Sequence, residues 1–172
     1  MGDPRTHFEE SLWPHLGGAY NLARWIVGNR HDAEDVVQDS FTKAFQAAGG
    51  FRGGDIRVWL MKIVRNTALN FVQRDRPKLE VAFGERGPDP ADAQPDPEAA
   101  LLRASQQARV RAAVERLPAE FRETLVLREL EGMAYKEIAA VLDIPIGTVM
   151  SRLARARDLL MRDLAAEKGA AL

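Results

Sequence analysis

Apolar residues recur along this chain at intervals of three and four rather than two, and that spacing predicts helices nearly everywhere and no convincing strand. Candidate helices run from Phe8 to Val27, with a break or kink at Pro14 and a stop at Gly28; from Ala33 to Ala48; and from Ile56 to Arg74. Gly49, Gly50, Gly53 and Gly54 punctuate the last two. Further along come Glu98 to Leu117, Ala119 to Leu130, Tyr135 to Leu142 and Ile146 to Leu164, divided by Pro118, Gly132 and the Asp143-Ile144-Pro145 stretch. Connections this short imply closely packed helices.

Five of the nine prolines (Pro77, Pro88, Pro90, Pro95 and Pro97) fall between Arg76 and Glu98, with Gly84, Gly87, six acidic residues and three basic ones. That composition predicts a flexible, acidic linker over 76–98. The expected fold is therefore all-α: two small helical domains, residues 1–75 and 99–172, joined by a Pro-rich acidic linker. A domain of about 75 residues buries only a modest core, so partners are expected to stabilise the whole.

The helical period sorts residues by face. In the second helix Val37, Phe41, Ala44, Phe45 and Ala48 form the inward stripe, leaving Asp35, Gln38, Asp39, Thr42 and Gln46 outward. Asp32 is placed to cap that helix, with Asp35 three residues on as in a capping box. In the third, Ile56, Leu60, Ile63 and Phe71 read as core, while Lys62, Asn66, Asn70 and Gln73 or Arg74 lie along one side with Arg65 beside them. Trp59 would either fill the core, the commoner fate of an aromatic at helical spacing, or stack on a base.

Tyr135 to Leu142, a short turn, and the helix from Ile146 make a helix-turn-helix pattern. Ile138, Ala139 and Leu142 can pack on Val149, Leu153, Ala156 and Leu160. The opposite face presents Thr148, Ser151, Arg152 and Arg155, where a recognition helix meets base edges and arginine suits guanine through its bidentate fork. Arg157 and Arg162 suit phosphates better. A solvated basic face on a packing helix is the plain alternative for such arginines.

Charge sharpens the pattern. The 172 residues carry 24 Lys and Arg against 25 Asp and Glu, and a net charge of -1 argues at first against a nucleic-acid partner. The sum averages unlike parts: nine basic and nine acidic residues over 1–75, three and six over 76–98, twelve and ten over 99–172. Asp32, Glu34, Asp35 and Asp39 cluster without a Lys or Arg among them, whereas Arg52 to Arg76 holds six basic residues against Asp55 and Asp75.

No cysteine is present, which excludes a disulfide scaffold, a thiol nucleophile and a thiolate metal site. No apolar run approaches the roughly 20 residues of a membrane span, and no signal peptide is expected, so the cytoplasm is the default location. His7, His15 and His31 lack the spacing of a zinc protease helix, so no enzyme, metal site or cofactor is expected.

Four strings, in this order, resemble one family. They are Asp-Ala-Glu-Asp-Val-Val-Gln-Asp at 32 to 39; Phe-Arg-Gly-Gly-Asp at 51 to 55; Trp59-Leu60 followed by Arg65-Asn66-Thr67; and Gly147-Thr148-Val149-Met150-Ser151-Arg152-Leu153 with Arg155-Ala156-Arg157. Over nearly the whole chain the sequence resembles the extracytoplasmic-function (ECF) sigma factors, small two-domain members of the sigma-70 family that direct bacterial RNA polymerase to promoters.

The resemblance implies that residues 32 to 46 dock on core RNA polymerase through Asp32, Asp35, Gln38, Asp39, Thr42 and Gln46. It implies that Phe51, Arg52, Gly53, Lys62, Arg65, Asn66, Asn70 and Arg74 hold the single-stranded minus-10 promoter element with a base extruded, a step costing only a few kcal/mol. Double-stranded minus-35 DNA would be read by Thr148, Ser151, Arg152, Arg155 and Arg157. An anti-sigma factor is an implied further partner. Met150 stands where many relatives carry Lys, so a phosphate contact there is not carried over.

At about 3.3 Å per residue, the 23 residues of 76–98 would reach roughly 75 Å, comparable with promoter elements about 17 base pairs apart. The acidic segments Asp89 to Asp92 and Asp96 to Glu98 would either mimic nucleic acid in the polymerase channel or form a solvated tether. Two rival functions remain from the residues: a sigma-like mimic in an anti-sigma partner switch, and a helix-turn-helix regulator without polymerase docking.

Overall fold

The computed structural model describes residues 4–82 and 97–170. In chain order the elements are α1 (Pro4–Leu12), a 3-10 turn (Trp13–His15), α2 (Leu16–Val27), α3 (Arg30–Gln46), a second 3-10 turn (Ala48–Gly50), α4 (Ile56–Ala82), α5 (Pro97–Arg116), α6 (Ala119–Glu129), α7 (Tyr135–Leu142) and α8 (Ile146–Ala170). Among the described residues there is no strand, as the three-and-four spacing predicts.

The expected break at Pro14 is the 3-10 turn between α1 and α2, and α2 stops at Gly28, whose φ of 90° lies in the left-handed region. The cap of α3 differs from the expectation. Asn29, extended at φ -141° and ψ 159°, accepts the Asp32 N–H at 2.9 Å, and its amide donates to the Asp32 carboxylate. The left-handed turn at Gly28 delivers an extended residue at 29 rather than at 32, so the helix starts three residues earlier than expected and Asp32 supports the cap instead of forming it.

Two helices run well past their expected ends. Helix α4 continues past Pro77 to Ala82, and α8 continues to Ala170. A proline loses one ladder hydrogen bond, and a long helix can absorb that where its neighbours hold. The linker expectation over 76–98 is thereby shortened, with 76–82 in α4 and Pro97 and Glu98 in α5. Residues 83–96, with Asp89, Asp92 and Asp96, lie outside the described residues.

In the N-terminal half α2, α3 and α4 pack pairwise around Leu22, Val36, Phe41, Leu60 and Val64. In the C-terminal half α6, α7 and α8 enclose Leu127 together with Ile138, Leu142, Val149, Leu153 and Ala156, which the period assigned to that interior, while Ala139 and Leu160, assigned with them, are only partly buried. The halves touch where α2 meets α6 and α4 meets α7, and the buried apolar residues form one cluster across both. Each half has a small core of its own, so covering the other's apolar faces adds burial neither could reach alone.

Polar contacts fix α5 on α8. Arg116 forks onto Asp163 at 2.6 Å and Glu167 at 2.6 Å, and these hydrogen bonds hold its guanidinium pKa above the ordinary value. Such an exposed network contributes little stability by itself and serves mainly to set direction. Arg122, by contrast, is pushed down by burial and donates to the Glu115 carbonyl at 2.9 Å.

Leu60, fully buried on α4, tests this packing. Leu60→Ala should lower unfolding stability by about 2–5 kcal/mol. Urea denaturation followed by circular dichroism checks it, with native helicity retained at zero denaturant.

Candidate nucleic-acid and partner interfaces

Along α3, Asp35, Gln38, Asp39, Thr42 and Gln46 are exposed and Asp32 is half-buried in the cap. Its acids are locally tethered: Asp35 lies 3.8 Å from His31, Asp39 2.7 Å from Lys43, and Glu34 3.0 Å from Arg30. Each is an exposed i, i+4 pair, weakly held and easily exchanged for another cation. The face is thus acidic and amide-bearing, as the sequence predicts, with its own cations interleaved.

Beside it is a feature the sequence reading missed. Trp13 is 55% exposed, and its ring stacks on Phe41 at 5.6 Å and lies 6.2 Å from Phe45. With Leu16, Tyr20 and Val37 these rings line a groove of about 720 Å³ whose edge includes Gln38 and Thr42. Treating Phe41 and Phe45 as wholly inward hid it, since Phe45 is only half-buried. The aromatic at the Pro14 break was the available signal.

The segment before α4 carries Gly53 and Gly54 at φ 89° and 99°, successive left-handed positions that L side chains rarely adopt. Asp55 then starts the helix by accepting the Arg57 N–H at 2.8 Å. Phe51 lies against Trp59 at 5.3 Å and Phe8 at 5.6 Å, with Trp59 half-buried, so Trp59 packs with the core as favoured. Arg52 is exposed on the glycine loop.

On α4, Lys62, Asn66, Asn70 and Arg74 form an exposed row one turn apart, with Arg74 over the Phe71 ring at 5.7 Å. Arg65 does not join that row. It precedes Asn66 by one residue, which turns it about 100° around a helix of 3.6 residues per turn, and its guanidinium donates to Glu123 of the C-terminal half.

The helix-turn-helix forms as its pattern requires. Helix α7 begins where the Glu137 carboxylate accepts the Ala134 N–H at 2.6 Å and ends at Asp143, left-handed at φ 55°. Ile144 then donates to the Ala139 carbonyl, and Val149, Leu153 and Ala156 anchor α8. Ser151 and Arg155 are exposed, Thr148 is half-buried, and Arg157 is held 2.8 Å from Glu129, whose hydrogen bond raises its pKa. Arg152 is turned inward, 3.6 Å from Glu120 and 3.9 Å from Glu123.

Glu123, singled out by nothing in the sequence, is where the two candidate DNA surfaces meet. It is 6% exposed, and Arg65 grips both carboxylate oxygens, at 2.8 and 2.9 Å. Its second arginine is Arg152. The exposed rows on α4 and α8 face outward, while Arg65 of the first set and Arg152 and Arg157 of the second are engaged within the molecule. Among the described residues no cluster of His, Asp or Glu is arranged to hold a metal ion, and no helix is long and apolar enough to cross a membrane.

Family models match both halves: Sigma-70 region 2 over residues 14–77, and Sigma-70, region 4 over residues 107–160. The chain is 36% identical over 159 residues to the ECF RNA polymerase sigma factor SigE of Mycolicibacterium smegmatis, covering 92% of this chain and 62% of that protein. It is 37% identical over 155 residues to the RNA polymerase sigma-H factor of Pseudomonas aeruginosa, covering 81% of this chain and 76% of that one.

Among solved structures, the sigma factor RpoE in complex with the anti-sigma factor NepR from Bartonella quintana matches with a TM-score of 0.74 and 26% identity, over 92% of this chain and 97% of that one. CnrH in complex with the cytosolic domain of CnrY matches with a TM-score of 0.67 and 29% identity, over 96% and 91%. Both halves thus match models of one family in chain order, and the chain belongs to the ECF RNA polymerase sigma factors of the sigma-70 family.

Proposed function

We propose that this chain binds core RNA polymerase, directs it to specific promoters and helps open the minus-10 element. Sigma factors are transcription initiation factors rather than enzymes, and no bond-making chemistry is assigned here. The observation that carries the reading is the pairing, in one chain, of the exposed Lys62, Asn66, Asn70 and Arg74 row with an exposed recognition-helix face bearing Ser151 and Arg155.

Polymerase docks on Asp35, Gln38, Asp39, Thr42 and Gln46 of α3, with Asp32 shaping the helix start. The tethered acids exchange their own lysine, arginine and histidine partners for cations of the polymerase, and the Trp13 groove receives an apolar side chain beside them. A helix-turn-helix regulator working without polymerase would have no use for this face.

The minus-10 strand runs along α4. Lys62, Arg74 and Arg52 meet phosphates, Asn66 and Asn70 meet the edges of unpaired bases, and the Gly53-Gly54 turn admits the backbone of an extruded nucleotide near Phe51. Arg65 reaches this strand once it leaves Glu123. On α8, Ser151, Arg152 and Arg155 read minus-35 base edges with Thr148 alongside, and Arg157 contacts the phosphate backbone. The chain acts in the cytoplasm, under an anti-sigma factor of the kind bound to the RpoE neighbour.

Reconstituted transcription with purified core polymerase, followed by sequencing of RNA 5′ ends, tests the reading as a whole; no promoter-dependent start sites above the core-alone background would end it. Within that assay, Arg155→Ala should weaken minus-35-dependent initiation by the equivalent of about 1–3 kcal/mol while leaving association with core polymerase unchanged. Asp35→Lys combined with Asp39→Lys should weaken association with the core about tenfold or more, measured by co-purification and by fluorescence titration. Undiminished association would remove the docking assignment.

A further inference from the structure

The contact between the halves is organised by four charged side chains in matching order. Arg57 and Arg65 stand eight residues apart on α4; Glu131 and Glu123 stand eight residues apart in and just after α6, running the opposite way. Arg65 forks onto Glu123, and Arg57 lies 3.6 Å from the Glu131 carboxylate and also donates to the Glu131 carbonyl. Asn21 of α2 donates to Glu131 at 3.0 Å. Between the two arginines, on the same stripe of α4, Met61 is fully buried. Two ion pairs thus bracket an apolar seam.

The Glu123 end differs from the Glu131 end in one respect. Its carboxylate is shared by arginines from both halves, Arg65 of α4 and Arg152 of α8, whose side chains are only 19% and 20% exposed. A guanidinium committed to a buried carboxylate is unavailable to a phosphate or a base, and a buried carboxylate stripped of its arginine is strongly unfavourable. The two states exclude each other.

We infer that Glu123 is an internal latch that closes the two halves by holding Arg65 across the seam, with Arg152 of its own half drawn in beside it. Resting on the assignment of Arg65 and Arg152 to promoter contacts, the latch sets closure against DNA binding: Arg65 reaches Glu123 from the other half, so capture of Arg65 by the DNA strand breaks the pair that spans the halves and favours their separation, while Arg152, in the same half as Glu123, stays to balance the carboxylate. By linkage, closure weakens DNA binding by the same factor that DNA binding weakens closure. The exposed row on α4 and Arg155 on α8 remain outside the latch, so the closed chain keeps partial DNA contacts and lacks the arginine forks that sharpen them. Glu131 with Arg57 secures the far end of the seam and touches no assigned DNA residue.

The absence of cysteine makes the test direct, because two introduced thiols are the only sites for dyes. Full-length protein carrying Glu10→Cys and Ala165→Cys, both on exposed helix faces, reports the separation of the halves by energy transfer. Without DNA, adding Glu123→Gln and Glu131→Gln should lower transfer, and affinity for a short duplex of mixed sequence should rise about tenfold, within the usual range of coupling. Retained helicity by circular dichroism identifies a folded variant.

A folded variant with unchanged transfer and unchanged duplex affinity overturns the latch. Should the glutamine variant fail to fold, the latch-intact chain decides: transfer must fall as a short single-stranded DNA, the ligand assigned to Arg65, binds, and constant transfer at saturation overturns the proposal. The DNA-free distance reads the latch alone, whereas promoter-dependent transcription reads the functional assignment, so the failure of one is distinguishable from the failure of the other.

Discussion

A carboxylate that is 6% exposed must be met by positive charge, and that requirement organises the whole molecule around Glu123. Burying one charge from α6 brings in Arg65 from α4 and Arg152 from α8, so three helices and both halves converge on a single group. The apolar seam does the rest of the work. Buried apolar residues of both halves, joined in one cluster, exclude the water that would weaken the ion pairs, and the ion pairs fix which register the seam adopts. Apolar burial is non-directional; the arginine forks supply direction.

The acidic face of α3 follows a different rule. Its carboxylates sit in short local pairs with Arg30, His31 and Lys43, all open to solvent, where ion pairing adds little to stability. These pairs hold side chains in order without committing them. Glu123 shows the opposite regime: once desolvated, the same kind of pair becomes an obligation. Surface and seam therefore use one chemistry for exchangeable and for locked contacts, and depth decides between them.

The legibility of these features in the sequence follows the range of the interactions. Helix positions, the Pro14 break and the helix-turn-helix turn at Asp143-Ile144-Pro145 were readable because hydrophobic period and local punctuation determine them. The Lys62, Asn66 and Asn70 row was readable for the same reason. The cap of α3 was misplaced by three residues because Asn29 and Asp32 are both competent caps, and the left-handed Gly28 chooses between them. Glu123 was invisible: in Ala-Glu-Phe-Arg-Glu-Thr it looks like one more acid on a surface helix, and its partner Arg65 is 58 residues away. Arg65 in turn seemed to sit beside the α4 row, although one step along a helix turns a side chain by about 100°.

The three tryptophans give the fold an optical consequence. Trp13 stands exposed over Phe41 in the groove beside α3, Trp59 packs with Phe51 beside the glycine turn, and Trp25 of α2 lines a groove otherwise formed by α5, α6 and α8. One indole therefore borders the groove beside α3, one the glycine turn before α4 and one the contact between the halves. With no cofactor or added dye, the ultraviolet emission of the native chain carries three spatially separate signals, and replacing two indoles by phenylalanine isolates the third.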